Sequence, residues 1–277
     1  MSLFIASLNS GSNGNCYYIG NDTEAVLIDA GITCKETEKR MLALGLSMQK
    51  VKAIFISHEH IDHISGVKTL SNKYNLPVYI TSGTLQFSKL FLAANLVMPF
   101  TAGTAINVGG LIIHAFIKQH DANDPHSFVV EYNNIKIGIF TDIGNVCENV
   151  IHYFKQCNAV FLEANYDEEM LATGNYPYHL KRRISGGNGH LSNKQAFDLL
   201  VAHRPVQMTH LILSHLSKNN NDPAIVEALF KPYTSMLQVV VASRYKASLV
   251  YEINAVRNIV VKPVVKSTVI VQQLSMF

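Results

Sequence analysis

Residues 57–63 read SHEHIDH and follow directly on the apolar run VKAIFIS at 51–57. A short apolar run bounded by polar residues predicts a buried strand. Three histidines, a glutamate and an aspartate are therefore crowded at a strand mouth. His58 and His60 alternate, so an extended segment points both the same way. Asp62 and His63 follow, near the start of the helical pattern ISGVKTLSNKY at 64–74. Imidazole and carboxylate suit zinc and related first-row ions. His58, His60, Asp62 and His63 are more ligands than one catalytic ion takes while keeping an open position, which points to two ions. A zincin helix would need HExxH, but position 62 is aspartate, so that reading fails. Glu59 is left without a role.

Two ions need further ligands, and other strand ends offer them. His120 lies just past IIHAFIKQ, Asp142 closes IKIGIFTD and His215 follows HLILS. A strand that stops in such a residue presents it at the sheet rim. Asp142 is the best bridge, because a carboxylate can share its two oxygens between ions about 3.5–4 Å apart. Asp29, closing AVLID, is placed to orient a ligand histidine from behind.

Around these positions short apolar runs alternate with helical patterns. Strands are expected at 3–9, 16–21, 25–31, 51–57, 78–82, 110–117, 127–133, 135–142, 159–165, 210–214, 238–243 and 248–253. NNIK supplies a hairpin turn between the strands at 127–133 and 135–142. Helices are expected from Thr33 to about Leu46, opened by a Thr33–Glu36 capping box, then at 64–74, after Ser192 and in 223–231. Strand meanders mixed with strand–helix units predict an α/β fold of two packed sheets with helices outside. No repeat or linker divides the 277 residues. One domain is expected over 1–253, with 254–277 as a tail or added edge strand.

Composition narrows the function classes. Hydrophobic residues make up 48% and charged residues 16%, so a sizeable core is affordable and a disordered chain is excluded. No segment approaches the roughly 20 apolar residues of a membrane span. The opening residues lack a basic region and a long apolar run, so no signal peptide is expected. The four cysteines have no paired spacing and read as buried thiols of a reducing compartment. A cytoplasmic protein is the expectation.

The ordered set Asp29, HEHIDH (58–63), His120, Asp142 and His215 resembles the metallo-β-lactamase superfamily. The resemblance implies an αββα sandwich, two mixed β-sheets flanked by helices. It implies one metal on His58, His60 and His120 and another on Asp62, His63 and His215, with Asp142 between. Zinc, manganese and iron all suit such ligands. Two such cations make a water nucleophilic near neutral pH and stabilise charge building on the attacked group, so the reaction expected is hydrolysis.

The segment GNGHLSNKQAF at 187–197 resembles the ribonuclease Z-like enzymes, where a Gly-His-Ser/Thr element opens a helix before the final ligand strand. It implies His190 as a second catalytic candidate beside Asp62, meeting a phosphate or the leaving oxygen. Ser192 would help to bind phosphate at the helix N-terminus. LNSGSNGNCYYI (8–19), LIDAG (27–31), QHDANDPHSF (119–128), TDIGNV (141–146), LEANYD (162–167) and GHLSN (189–193) are together similar to the YycJ/WalJ group of bacterial metallo-hydrolases. That similarity implies a 5′-to-3′ DNA exonuclease acting in repair or replication. His126, the extra histidine of QHDANDPHSF, reads as a loop residue. Lys181, Arg182 and Arg183 precede the Gly-rich SGGNG and are candidate contacts for backbone phosphates.

The chain ends QQLSMF. Gln273, Leu274, Ser275, Met276 and Phe277 resemble the bacterial sliding-clamp-binding pentapeptide, a polar anchor and apolar knobs suited to an apolar groove. Alternatives to the exonuclease are an RNA-processing nuclease of the ribonuclease Z or J kind, a thioester or lactone hydrolase, and a clamp-bound adaptor without catalysis.

Overall fold

The computed structural model describes residues 2–255. Two seven-stranded sheets face each other. Edge to edge, the first consists of Tyr251–Asn254, Ser2–Asn9, Cys16–Gly20, Ala25–Ile28, Val51–Phe55, Val78–Ile80 and Val97–Pro99. The second consists of Gln238–Val241, His210–Ser214, Ala159–Glu163, Ile135–Phe140, His126–Tyr132, Leu111–Ile117 and Ala105–Val108. Each sheet joins an antiparallel meander to a parallel run. Residues 25–28, 51–55, 78–80 and 97–99 run parallel in the first, and 135–140, 159–163, 210–214 and 238–241 in the second.

Three apolar layers account for the sandwich. Between the sheets, Ile5, Ile19, Phe55, Phe128, Ile137 and Phe161 belong to one buried core. Outside the first sheet, Leu27, Ile54 and Ile56 pack with Met41, Val67 and Leu70 of the helices Cys34–Ala43 and Val67–Tyr74. Outside the second, Val160, Leu162 and Leu211 pack with Val150, Leu199 and Val226 of the helices Glu148–Phe154, Asn193–His203 and Pro223–Phe230. The central strands are apolar on both faces because each sheet is covered twice.

The Asn133–Asn134 turn is a two-residue hairpin with φ of 48° and 65°, the conformation that asparagine tolerates best after glycine. The first helix starts at Cys34 and ends at Ala43, three residues short of expectation. Thr33 caps it by accepting from the Glu36 amide at 3.2 Å. Glu36 spends its carboxylate on Arg40 Nε at 2.7 Å, in place of a reciprocal box. The pattern at 64–74 is two helices, Ile61–Ile64 and Val67–Tyr74, so Asp62 and His63 sit within a helical turn. Helices at Ser82–Ser88, Glu148–Phe154, Glu168–Thr173 and Tyr178–Ser185, and strands at Val97–Pro99 and Ala105–Val108, were not expected from the sequence. Among the described residues no helix is long and apolar enough to cross a membrane.

Candidate metal centre

The carboxyl ends of the parallel strands meet at one rim, the position where α/β sheets form sites. Asp29 follows the strand 25–28, His58 the strand 51–55 and Asp142 the strand 135–140. Glu163 ends the strand 159–163 and His215 follows 210–214. Asp29, Asp142 and His215 all adopt left-handed φ, at 59°, 56° and 57°. Non-glycine residues rarely hold that conformation, and three of them here mark a rim bent to aim side chains inward.

The side chains converge in overlapping groups with ligand atoms within 4.8 Å of one another. These are His58, His60 and His120, then Asp62, His63 and His215, then His58, His63 and Asp142, and last Asp142, Glu163, His190 and His215. Asp142 lies between the first two, with Oδ2 3.2 Å from His63 Nε2, and Oδ1 3.1 Å from His215 Nδ1 and 3.8 Å from His120 Nε2. His58 Nε2 is 3.1 Å from His60 Nδ1.

Four of the rings are steered from behind through Nδ1. His63 meets Asp29 Oδ2 at 2.7 Å, His120 the Gly189 carbonyl at 2.8 Å, His215 Glu163 Oε1 at 2.9 Å and His58 the Ser57 hydroxyl at 2.9 Å. A ring that donates Nδ1–H to a carboxylate or carbonyl presents Nε2 as its basic nitrogen. The Nε2 atoms of His120 and His215 are buried without a hydrogen-bond partner among the described residues. Buried polar atoms left unpaired are costly, and a cation held at each would satisfy them.

The charges agree. Burial alone would lower the basicity of His63, yet Asp142, Asp29 and Asp62 hold its pKa well above the ordinary value. The same contest, with Asp142 foremost among the carboxylates, raises His215. Asp142 is held well below the ordinary carboxylate range by His215 and His63 despite its burial. Burial lowers His58 strongly and brings His120 to about 4. Without metal, the carboxylates thus keep protons on two buried rings, a demand for positive charge that divalent cations meet. The residues fit the metals.

Four contributors escaped the sequence reading. Glu163 is fully buried, and its Oε1 also meets His190 Nδ1 at 2.8 Å. Its Oε2 accepts from the amides of Ile143 and Leu191 at 2.8 and 3.1 Å. Burial would raise its carboxyl, but His190 and His215 bring it down to about 2. The signal was present, since a strand ending in a carboxylate is the pattern that singled out Asp142. Asn15 donates to Asp62 Oδ2 at 3.2 Å and lies 3.1 Å from His63 Nε2. Lys118 is buried and donates from Nζ to the Thr141 carbonyl at 2.7 Å, behind Asp142. Glu59 accepts from the Asn123 amide at 2.9 Å, clamping the loop after His120 to the HxHxDH turn. The main chain of Asp62 presses on Gly31, where a Cβ would stand 1.6 Å from the Asp62 carbonyl oxygen, so only glycine fits.

The remaining candidates separate. His190 joins the cluster, 3.8 Å from Asp142 Oδ1 and half-buried. Ser192 is engaged within the fold. It is fully buried, its hydroxyl donates to Glu168 Oε1 at 2.9 Å, and it caps the helix by accepting from the Gln195 amide at 3.1 Å. The serine and Gln195 together form a capping box. Lys181, Arg182 and Arg183 lie on the helix Tyr178–Ser185. Lys181 donates to the Ala172 carbonyl at 2.6 Å and Arg182 lies over the Tyr178 ring at 6.0 Å. Arg183 reaches the rim, donating to Asp121 beside His120. His126 is buried at a strand start, with Nδ1 2.9 Å from the Asp124 carbonyl. Gln273, Leu274, Met276 and Phe277 lie outside the described residues.

With the geometry in place, comparison with known proteins decides the family. A family model described as the metallo-beta-lactamase superfamily matches residues 10–154. The chain belongs to this superfamily. Exodeoxyribonuclease YycJ of Bacillus anthracis is 36% identical over 225 residues, spanning 80% of this chain and 85% of that protein. Exodeoxyribonuclease WalJ of Streptococcus pneumoniae is 31% identical over 219 residues, spanning 77% and 81%. These relatives put the chain in the YycJ/WalJ-like group. The metallo-beta-lactamase fold protein YhfI of Bacillus subtilis superposes with a TM-score of 0.69 at 15% identity, over 91% of this chain and 100% of that one, which shows the fold. A superfamily hydrolase with a histidine–carboxylate cluster able to hold metal is a metal-dependent enzyme.

Proposed function

We propose that the chain is a di-metal phosphodiesterase that degrades DNA from the 5′ end in the cytoplasm, in repair or replication. The observation that carries the reading is the convergence of two complete triads on Asp142. His58, His60 and His120 would hold one ion, and Asp62, His63 and His215 the other, with Asp142 shared. When bound, two divalent ions, zinc or manganese with iron as a third candidate, supply a water ionised near neutral pH and positive charge for the attacked phosphate. The chain's own groups do the rest. Asp29 and Glu163 fix ring orientation, and Lys118 anchors the segment that carries Asp142. His190, held at Nδ1 by Glu163, turns its other nitrogen to the scissile phosphate or its leaving oxygen. The YycJ and WalJ relatives support the DNA exonuclease reading by their names.

The test is degradation of matched single-stranded DNA and RNA, labelled at the 3′ end and carrying a 5′ phosphate, by protein loaded with zinc or manganese. Progressive shortening of DNA, abolished by Asp142→Asn, is expected. Cleavage of RNA alone would replace the reading with RNA processing. Cleavage of neither by metal-loaded protein would point to small esters or to an adaptor.

The terminal QLSMF extends the proposal to recruitment by the sliding clamp. Deleting 273–277 should abolish clamp binding and leave cleavage of short oligonucleotides intact. Undiminished clamp affinity in the truncated chain would refute recruitment through this peptide.

A further inference from the structure

A cavity of about 310 Å³ opens beside His215, between the turn that follows it and the chain leaving the strand Gln238–Val241. Its size falls in the range of small-ligand pockets, about 300–1,000 Å³. Ser10, Leu216, Lys218, Ser243, Arg244 and Tyr245 line it. Ser10 ties it to the metal centre, because its hydroxyl accepts from the His215 amide at 2.7 Å. The strand 238–241 is the parallel neighbour of 210–214, so Arg244 leaves the same rim one strand over from His215.

Arg244 is built in. Its carbonyl accepts from Asn13 Nδ2 at 2.8 Å and its Nη2 donates to the Ser12 hydroxyl at 3.2 Å. The Ser243 carbonyl accepts from the Ser10 amide at 3.3 Å, and the Tyr245 carbonyl accepts from Arg40 Nη2 at 3.2 Å. Nη1 of Arg244 is buried without a hydrogen-bond partner among the described residues. Among the described residues Arg244 forms no ion pair, whereas Arg40 and Arg183 each do. Arg244 as a whole is only partly buried and lines the cavity, and the preferred partners of a guanidinium are carboxylate and phosphate. Lys218 adds a second positive charge, and Glu227, exposed on the helix Pro223–Phe230, adds a negative one. Leu216 and the exposed ring of Tyr245 give the cavity apolar surface suited to a sugar or base.

Resting on the nuclease reading, we propose that this cavity is a phosphate subsite for the nucleic-acid strand, with Arg244 as its anchoring cation. A phosphate seated there would hold the strand beside the metal centre, and its source is a 5′-terminal or an internal phosphate of the same strand. The probes are deoxythymidine 5′-monophosphate and thymidine, titrated against zinc-loaded wild type, Arg244→Gln, Arg244→Lys and Lys218→Gln. The monophosphate should bind Arg244→Gln roughly tenfold more weakly than wild type, with Arg244→Lys between them. Thymidine should not distinguish the proteins. In DNA degradation, Arg244→Gln should raise KM roughly tenfold and leave kcat within about twofold. A KM effect confined to 5′-phosphorylated strands assigns the subsite to the terminal phosphate, and an equal effect on 5′-hydroxyl strands assigns it to an internal one. Lys218 is exposed, so Lys218→Gln reads the subsite even where Arg244→Gln fails to fold, and weaker monophosphate binding is expected there too. Equal monophosphate affinity in wild type and variants would overturn the subsite, the phosphate then going to the metal centre alone, while DNA cleavage kept the nuclease reading intact. Arg244-dependent monophosphate binding in a protein that cleaves neither DNA nor RNA would leave the subsite standing and remove the nuclease reading.

Discussion

Glu163 holds two rings with one oxygen, so its removal reaches both His190 and His215. Glu163→Gln keeps the volume and weakens the acceptor, and metal affinity should fall roughly 10–100-fold, as when carboxylates behind ligand histidines are lost. The metal-free protein gives an independent readout. Its folded-state pKa is lowered from the ordinary 4.5 to about 2 by His190 and His215 against the opposing effect of burial. A depressed carboxyl adds stability above its unfolded pKa, and that stability is lost as pH falls through the folded value. The destabilisation by Glu163→Gln should therefore be full above pH 4.5 and shrink towards pH 2. Urea melts of both metal-free proteins across that window check it, and a pH-independent difference would contradict the assignment. The residues legible in the sequence, Asp29, His58, His60, Asp62, His63, His120, Asp142 and His215, share a pattern of apolar strand followed by His or Asp. Asn15 and Lys118 carry no such local mark. Their partners, Asp62 and Thr141, lie 47 and 23 residues away, and only folding brings them together.

At the scale of elements, the central strands were readable because they are apolar on both faces and too short for helices. The strands Val97–Pro99 and Ala105–Val108 are edges, mostly exposed, and present no apolar run. The helix Tyr178–Ser185 buries no residue fully, so no apolar stripe announces it. The Asn193–His203 helix is legible from its Ser192 cap. A helix N-terminus with its side chains exposed can receive phosphate. Here the Ser192 amide donates to Gln195 Oε1 and the Asn193 amide to the Tyr166 carbonyl, both at 2.8 Å, so these donors are already spent. The expected helix at 64–74 divides at Ser65–Gly66, where a Cβ on Gly66 would stand 2.0 Å from the Ile32 carbonyl oxygen.

For the whole molecule, the two sheets bring their parallel halves to one rim, and four carboxylates, Asp29, Asp62, Asp142 and Glu163, come together with the rings of His58, His60, His63, His120, His190 and His215. Such a concentration of buried negative charge has a use only with cations. The order of the strands, more than any single segment, sets Asp142 between the two groups of ligands. The proposed sharing of Asp142 by two ions is tested most directly by metal-edge anomalous diffraction from zinc-loaded crystals. Two anomalous peaks are expected, one among His58, His60 and His120 and one among Asp62, His63 and His215, about 3.5–4 Å apart with Asp142 between them. A single peak at full loading, or peaks away from Asp142, would contradict it.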